Sequence, residues 1–156
     1  TGEDVANYPN LSELLSNNWD MEQPVDYWKV SQSVSKKDSV LLKDTEMPWD
    51  RIKEIFKKAD INKEALNHHY SIDIMQDSTM NTTTVYYKAL APTDYTKKID
   101  IISGGVDNNM TSLYFETASE DGQSSKVLFI KNKLIQIQER PSKGDDVKVE
   151  TYHFPE

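Results

Sequence analysis

The stretch Tyr27-Trp28-Lys29-Val30-Ser31-Gln32-Ser33-Val34-Ser35, with its continuation to Leu42, decides how much of this chain is helix. Tyr27, Val30, Val34 and Leu41 recur at spacings of three, four and seven, which lays them on one stripe of a helix. Pro24, just upstream, suits the first turn of such a helix. Ser31, Ser33 and Ser35 lower the helical propensity, and a strand over 27–34 is the competing reading. The apolar stripe predicts a helix over 27–42.

Two further helices flank that stretch. Asn10 and Glu13 have the spacing of a capping box, and Leu11, Leu14 and Leu15 then share one helical face until Asn17 and Asn18 end it. Downstream, Pro48 opens a helix in which Trp49, Ile52, Ile55, Phe56 and Ala59 form the apolar stripe. Asp50, Arg51, Lys53, Glu54, Lys57 and Lys58 face water, with Glu54 and Lys58 in the favourable i,i+4 order. Asp60 or Asn62 caps a short turn through Leu66.

From Tyr70 the period changes to two. Val85, Tyr87 and Ala89 alternate with Tyr86, Lys88 and Leu90. Ile99 and Ile101 flank Asp100, and Leu113 and Phe115 flank Tyr114. The runs 127–130 and 134–137 bracket Lys131-Asn132-Lys133, a tight hairpin whose Asn132 suits a left-handed conformation. Val147, Val149 and Thr151 close the series. No helical pattern interrupts these strands, so the sheet is predicted to be antiparallel. Helices first and strands afterwards is an α+β order, with N-terminal helices packed on a curved antiparallel sheet of six or seven short strands. Residues 1–9 read as a loose tail and 10–156 as a single domain. Trp49, Ile52, Phe56, Ile101, Phe115 and Phe129 are the expected helix-to-sheet core.

The formal charge of −8 over 156 residues argues against nucleic acid and against an anionic membrane surface, both of which call for a surplus of Lys and Arg. The absence of cysteine excludes disulfides, thiolate metal sites and a cysteine nucleophile, without placing the chain in the cytosol.

Candidate chemistry is sparse. His68 and His69 are adjacent, so on a strand they point to opposite faces and cannot easily share one metal with His153. Asp60-Ile61-Asn62-Lys63-Glu64 opens like an EF-hand loop, but Ala65 stands where glycine is required and Ser71 where a bidentate Glu is required. Gly104-Gly105 precedes a strand and reads as a turn rather than a phosphate loop. No serine lies in a nucleophile elbow. Asn10, Asn81 and Asn109 each open an N-glycosylation pattern, of a kind that an Asn- and Thr-rich chain produces by chance. No catalytic residue, cofactor or metal site is predicted. Tyrosines and aliphatic residues of the sheet could line a ligand groove, with Tyr86, Tyr114, Leu128, Ile130 and Tyr152 as its candidates. Aromatics also simply suit strands, which is the plainer account of them.

The segment Met47-Pro48-Trp49-Asp50 through Phe56, Ala59-Asp60-Ile61-Asn62-Lys63, Leu66 and Tyr70 resembles exported lipoprotein domains of Bacteroidetes-type envelopes, which have no assigned function. There a helix led by tryptophan ends in a phenylalanine and an Asp-Ile-Asn-Lys turn, and an antiparallel sheet follows. The resemblance implies an extracytoplasmic location, with Thr1-Gly2-Glu3-Asp4 following a lipidated cysteine outside this chain. Asp38-Ser39-Val40 and Asp77-Ser78-Thr79 are similar to periplasmic O-glycosylation sites. The family supplies no catalytic residues. The expected function is a non-enzymatic binding or accessory module with a protein or small-molecule partner. The alternatives are a carrier of an apolar or amphiphilic ligand in a groove between helices and sheet, and a carboxylate-based hydrolase.

Overall fold

A computed structural model describes residues 8–155. A single nine-stranded antiparallel sheet is the body of the molecule, and 17% of the described residues are helical. In chain order the elements are α1 (Leu11–Asn18), β1 (Asp26–Gln32), β2 (Lys37–Lys43), α2 (Trp49–Ala59), β3 (Tyr70–Asp77), β4 (Thr82–Ala89), β5 (Thr96–Gly104), β6 (Asn109–Ala118), β7 (Ser124–Ile130), β8 (Leu134–Arg140) and β9 (Lys148–His153). The strand order is β2-β1-β9-β8-β7-β6-β5-β4-β3. Strands β3 to β9 form a meander in which each pairs with its sequence neighbour. The β1–β2 hairpin joins its far side by pairing β1 with β9.

This overturns the α+β expectation of N-terminal helices on six or seven strands. The difference lies in 27–42. That segment is the β1–β2 hairpin, with Gln32 opposite Lys37 and Ser33 N–H donating to the Lys36 carbonyl at 2.8 Å. The spacing that suggested a helix is coincidental: Tyr27 is fully buried, Val30 belongs to the opposite face, and Val34 sits exposed at the hairpin tip. Tyr27, Trp28 and Val30 favour a pleated surface, and β9 offers β1 a backbone ladder that a helix could not use.

Both helices lie on one face of the sheet. α1 begins at Asn10, whose side-chain oxygen accepts from Glu13 N–H at 3.0 Å. It buries Leu11 and Leu15, while α2 buries Ile52, Phe56 and Ala59. Against them stand the inward residues of the strands, including Ile99, Leu113, Phe115, Val127, Phe129, Ile135 and Tyr152. The Phe56 and Phe115 rings meet edge to face at 5.2 Å. Of the expected core, Ile52, Phe56, Phe115 and Phe129 are fully buried, whereas Trp49 and Ile101 are partly buried around it.

The tail assigned to 1–9 lies outside the described residues up to position 7, and so does the acidic pair Glu3 and Asp4. Tyr8 is described and buried. Its hydroxyl accepts from Tyr70 N–H at 3.1 Å and donates to the Tyr70 carbonyl at 3.0 Å. Asp60, considered above as a calcium ligand, fixes this segment instead. Its Oδ1 accepts from Leu11 N–H at 3.2 Å and Asn62 N–H at 3.3 Å, and Asn62 Nδ2 donates to the Tyr8 carbonyl at 2.7 Å. Asn132 takes a φ of +63° in the β7–β8 hairpin. No helix among the described residues is long and apolar enough to cross a membrane.

Candidate functional site

The helices cover one face of the sheet, and alternation along each strand assigns every second residue to the other face. The register turns those residues into cross-strand rows. One row runs Leu41–Trp28–His153–Leu134–Ile130 over β2, β1, β9, β8 and β7, each residue directly opposite the next. A second runs Leu128–Tyr114–Asp100–Tyr86 over β7 to β4. A third runs Lys126–Glu116–Lys98–Lys88. Polarity therefore rises along the strands, from an almost wholly apolar row to a charged one.

The apolar row ends in an open groove of about 850 Å³. Trp28, Leu41, Leu134, Phe154 and Pro155 supply its apolar walls, and Asp26, Asn132, Lys133 and His153 its polar rim. Trp28 is 51% exposed and Leu41 49%, an unusual amount of apolar surface to leave side by side in water. Trp28 is placed there because alternation in β1 sends Tyr27 inward and Trp28 outward. Phe154 N–H donates to the Lys133 carbonyl at 2.7 Å, which fixes the segment after β9 against the β7–β8 hairpin and closes the groove's end.

Of the five groove residues expected from sequence, Tyr86, Tyr114 and Leu128 share the second row, and Ile130 lies in the first. Tyr152 is on the helix-covered face and fully buried, so the structure separates it from the other four. No helix covers those four, because the helix expected over 27–42 does not exist. Tyr114 donates its hydroxyl to Glu116 Oε2 at 2.8 Å, and Lys98 Nζ lies 3.2 Å from Asp100 Oδ2. Asp100 Oδ1 is buried with no hydrogen-bond partner among the described residues. Burial, reinforced by Glu116 and Asp100, holds the Tyr114 hydroxyl well above the ordinary tyrosine range.

The covered face carries one concentrated polar cluster at its margin. Arg51 of α2 donates to Glu150 Oε2 at 3.0 Å and also to Glu139 Oε1. Tyr152 donates its hydroxyl to the same Glu150 oxygen at 2.6 Å, and Lys29 Nζ lies 3.8 Å from it. Burial pushes the Glu150 carboxyl up, but the Tyr152 hydroxyl, Arg51 and Lys29 together hold it below the usual range. A general acid needs the opposite shift. The arrangement reads as a clamp joining α2 to β8, β9 and β1.

The histidines do not meet. His68 takes a φ of +67° in the loop before β3, His69 Nδ1 lies 3.0 Å from Asp94 Oδ1, and His153 lines the groove. No cluster of three or more metal-ligating side chains occurs among the described residues. Asn10 is engaged as a helix cap, Asn81 sits in the β3–β4 turn and Asn109 begins β6. Ser39 lies on β2, and Ser78 in the turn after β3. Sequence reasoning missed Trp28, Leu41, Leu134 and His153 as a group. The strand reading of 27–34 held the signal, since strict alternation pairs Trp28 with Val30 and opposes Tyr27. Comparison with protein-family models, with curated proteins and with solved structures finds no match to this chain.

Proposed function

We propose that this chain is a non-enzymatic, extracytoplasmic binding module that takes an apolar or amphiphilic group of a partner molecule into the groove on its uncovered sheet face. One observation carries the reading: Trp28 and Leu41 lie directly opposite each other, half exposed, at the mouth of a groove with a polar rim. Specific sites combine apolar walls with a few polar groups in this way. The space between helices and sheet, by contrast, is filled by side chains of the core. That favours an open contact surface over an enclosed carrier. The extracytoplasmic part rests on the resemblance of the segment 49–70 to exported lipoprotein domains.

Trp28 supplies the test. Trp19 is buried and Trp49 is packed against it with its indole Nε1 buried, so Trp28 is the tryptophan most open to iodide. Protein purified gently from its own host is expected to carry a bound molecule detectable by native mass spectrometry and in an organic extract. Its release should increase iodide quenching of Trp28, and Trp28→Ala should purify without it. An apo mass together with full quenching before and after extraction would sink the proposal.

A further inference from the structure

The two edges of the sheet are not alike. β2 is bounded by Lys37 and Lys43, and Lys36 pairs with Asp38 at 3.2 Å. Lysines on an edge oppose strand addition, because docking a further strand would strip them of water. β3 reads Tyr70-Ser71-Ile72-Asp73-Ile74-Met75-Gln76-Asp77 and contains no Lys, Arg or Pro. Its register with β4 is unbroken from Tyr70–Ala89 to Asp77–Thr82, so no bulge twists it away. Only Tyr70 is buried. Ile74 and Met75 are 66% and 61% exposed, on opposite faces of the strand. β4 is its partner on one side; on the other, the Tyr8 hydroxyl takes the N–H and carbonyl of Tyr70, and beyond Tyr70 no strand among the described residues pairs with the row of backbone donors and acceptors.

We propose that β3 is a docking edge, which accepts an extended segment of another protein by strand addition. Independently of the groove, the edge itself defines the chemistry of that segment. Ile72 and Ile74 on the helix side call for apolar residues on that face of the incoming strand, and Met75 on the other face can pack against the stems of long side chains. Asp73 and Asp77 are the edge's own charges, so the segment carries Lys or Arg. A second copy of this chain is a poorer occupant. Antiparallel self-pairing about Ile74 brings Asp73 diagonal to Asp73 and Asp77 of the other copy, and it joins two chains of charge −8.

The probe is a capped eight-residue peptide of alternating valine and lysine, titrated into the 15N-labelled chain and followed by amide chemical shifts. Shifts concentrated in 71–77 are expected. The affinity should weaken severalfold between low and physiological salt, because the attraction is between exposed charges. Ile74→Lys should abolish the shifts, and the exposure of Ile74 leaves the fold intact to report it. Asp73→Lys should weaken the lysine peptide by about two- to fivefold, and should let a valine–glutamate peptide of the same length bind instead. That exchange of preference cannot come from a merely structural role. The assignment is overturned if about a millimolar lysine peptide leaves β3 unshifted, or if both variants bind as the parent does. It is also overturned if dilution-sensitive dimers appear that Ile74→Lys abolishes, since the edge would then serve a second copy.

Discussion

The two faces of the sheet are made by the same strands and have opposite characters. On the covered face, Tyr152, Ile135, Phe129 and Leu113 form one row that is buried throughout, capped by two short helices. On the other face, the equivalent row Trp28–His153–Leu134–Ile130 is also largely apolar but has no helix above it. Apolar content alone therefore does not say which face is core. What decides is whether another element is available to cover it, and here β1 and β2 joined the sheet instead of packing upon it.

The largest test of that contrast is truncation on the covered face. Phe56→Ala and Phe129→Ala each remove a fully buried ring and should cost about 3–5 kcal/mol, read as a lowered urea midpoint. Trp28→Ala, on the uncovered face, should change stability by no more than about 0.5 kcal/mol despite the larger ring. Similar effects for all three would mean that the faces are not energetically distinct.

Breaking the clamp should have an intermediate effect. Arg51→Met leaves Glu139 and Glu150 without their shared cation, and about 1–2 kcal/mol is expected after allowing for partial exposure. The clamp also gives the covered face a pH signature. Glu150 is held below its ordinary value of 4.5, so its contribution is present above that value and lost as the pH falls through its folded-state value. Acid denaturation of Glu150→Gln should begin from a lower plateau and lose less stability below pH 4.5. A parallel acid curve for the variant would show that the clamp adds nothing.

At the alkaline end the sign reverses and both faces take part. Burial raises Tyr152 on the covered face and Tyr114 on the uncovered one above the ordinary 10.0. Their contributions are complete below pH 10 and fade as the pH rises further, because the folded state then resists ionisation that the unfolded state undergoes. Tyr114→Phe should delay alkaline unfolding, measured by circular dichroism above pH 10. Asp60→Ala, which loses a cap and a tether, should cost about 1 kcal/mol, read as a lowered urea midpoint.

Legibility from sequence divides along the same lines. The meander was readable because Val85, Tyr87, Ile99, Ile101, Leu113 and Phe115 alternate and the turns carry Gly and Asn. α2 was readable because its stripe holds the helical period over three turns. The stretch 27–42 was not, because four residues met a helical spacing by chance and the partner that makes β1 a strand, β9, is remote in sequence. A helix over 27–42 gives Trp28 no sheet face to line, so Trp28 does not stand out in the sequence. Tyr152 was placed with the wrong face because the run Val149 to His153 gives no sign of which residue meets Ile135. Asp60 shows the limit of motif reading, since its partners lie at Leu11 and Asn62 rather than around an ion.

The β1–β9 pairing also dictates an order of events when the chain is made. Each strand from β4 to β9 can add to the one synthesised just before it, so those contacts close short loops. β1 and β2 emerge earlier than all of them, yet their place in the sheet does not exist until β9 is complete. Closing a loop on the order of a hundred residues costs little more entropy than closing one half as long, about 0.6 kcal/mol, but it makes the step slow. The early hairpin therefore waits, with Tyr27 bare, until β9 is made and recruits it.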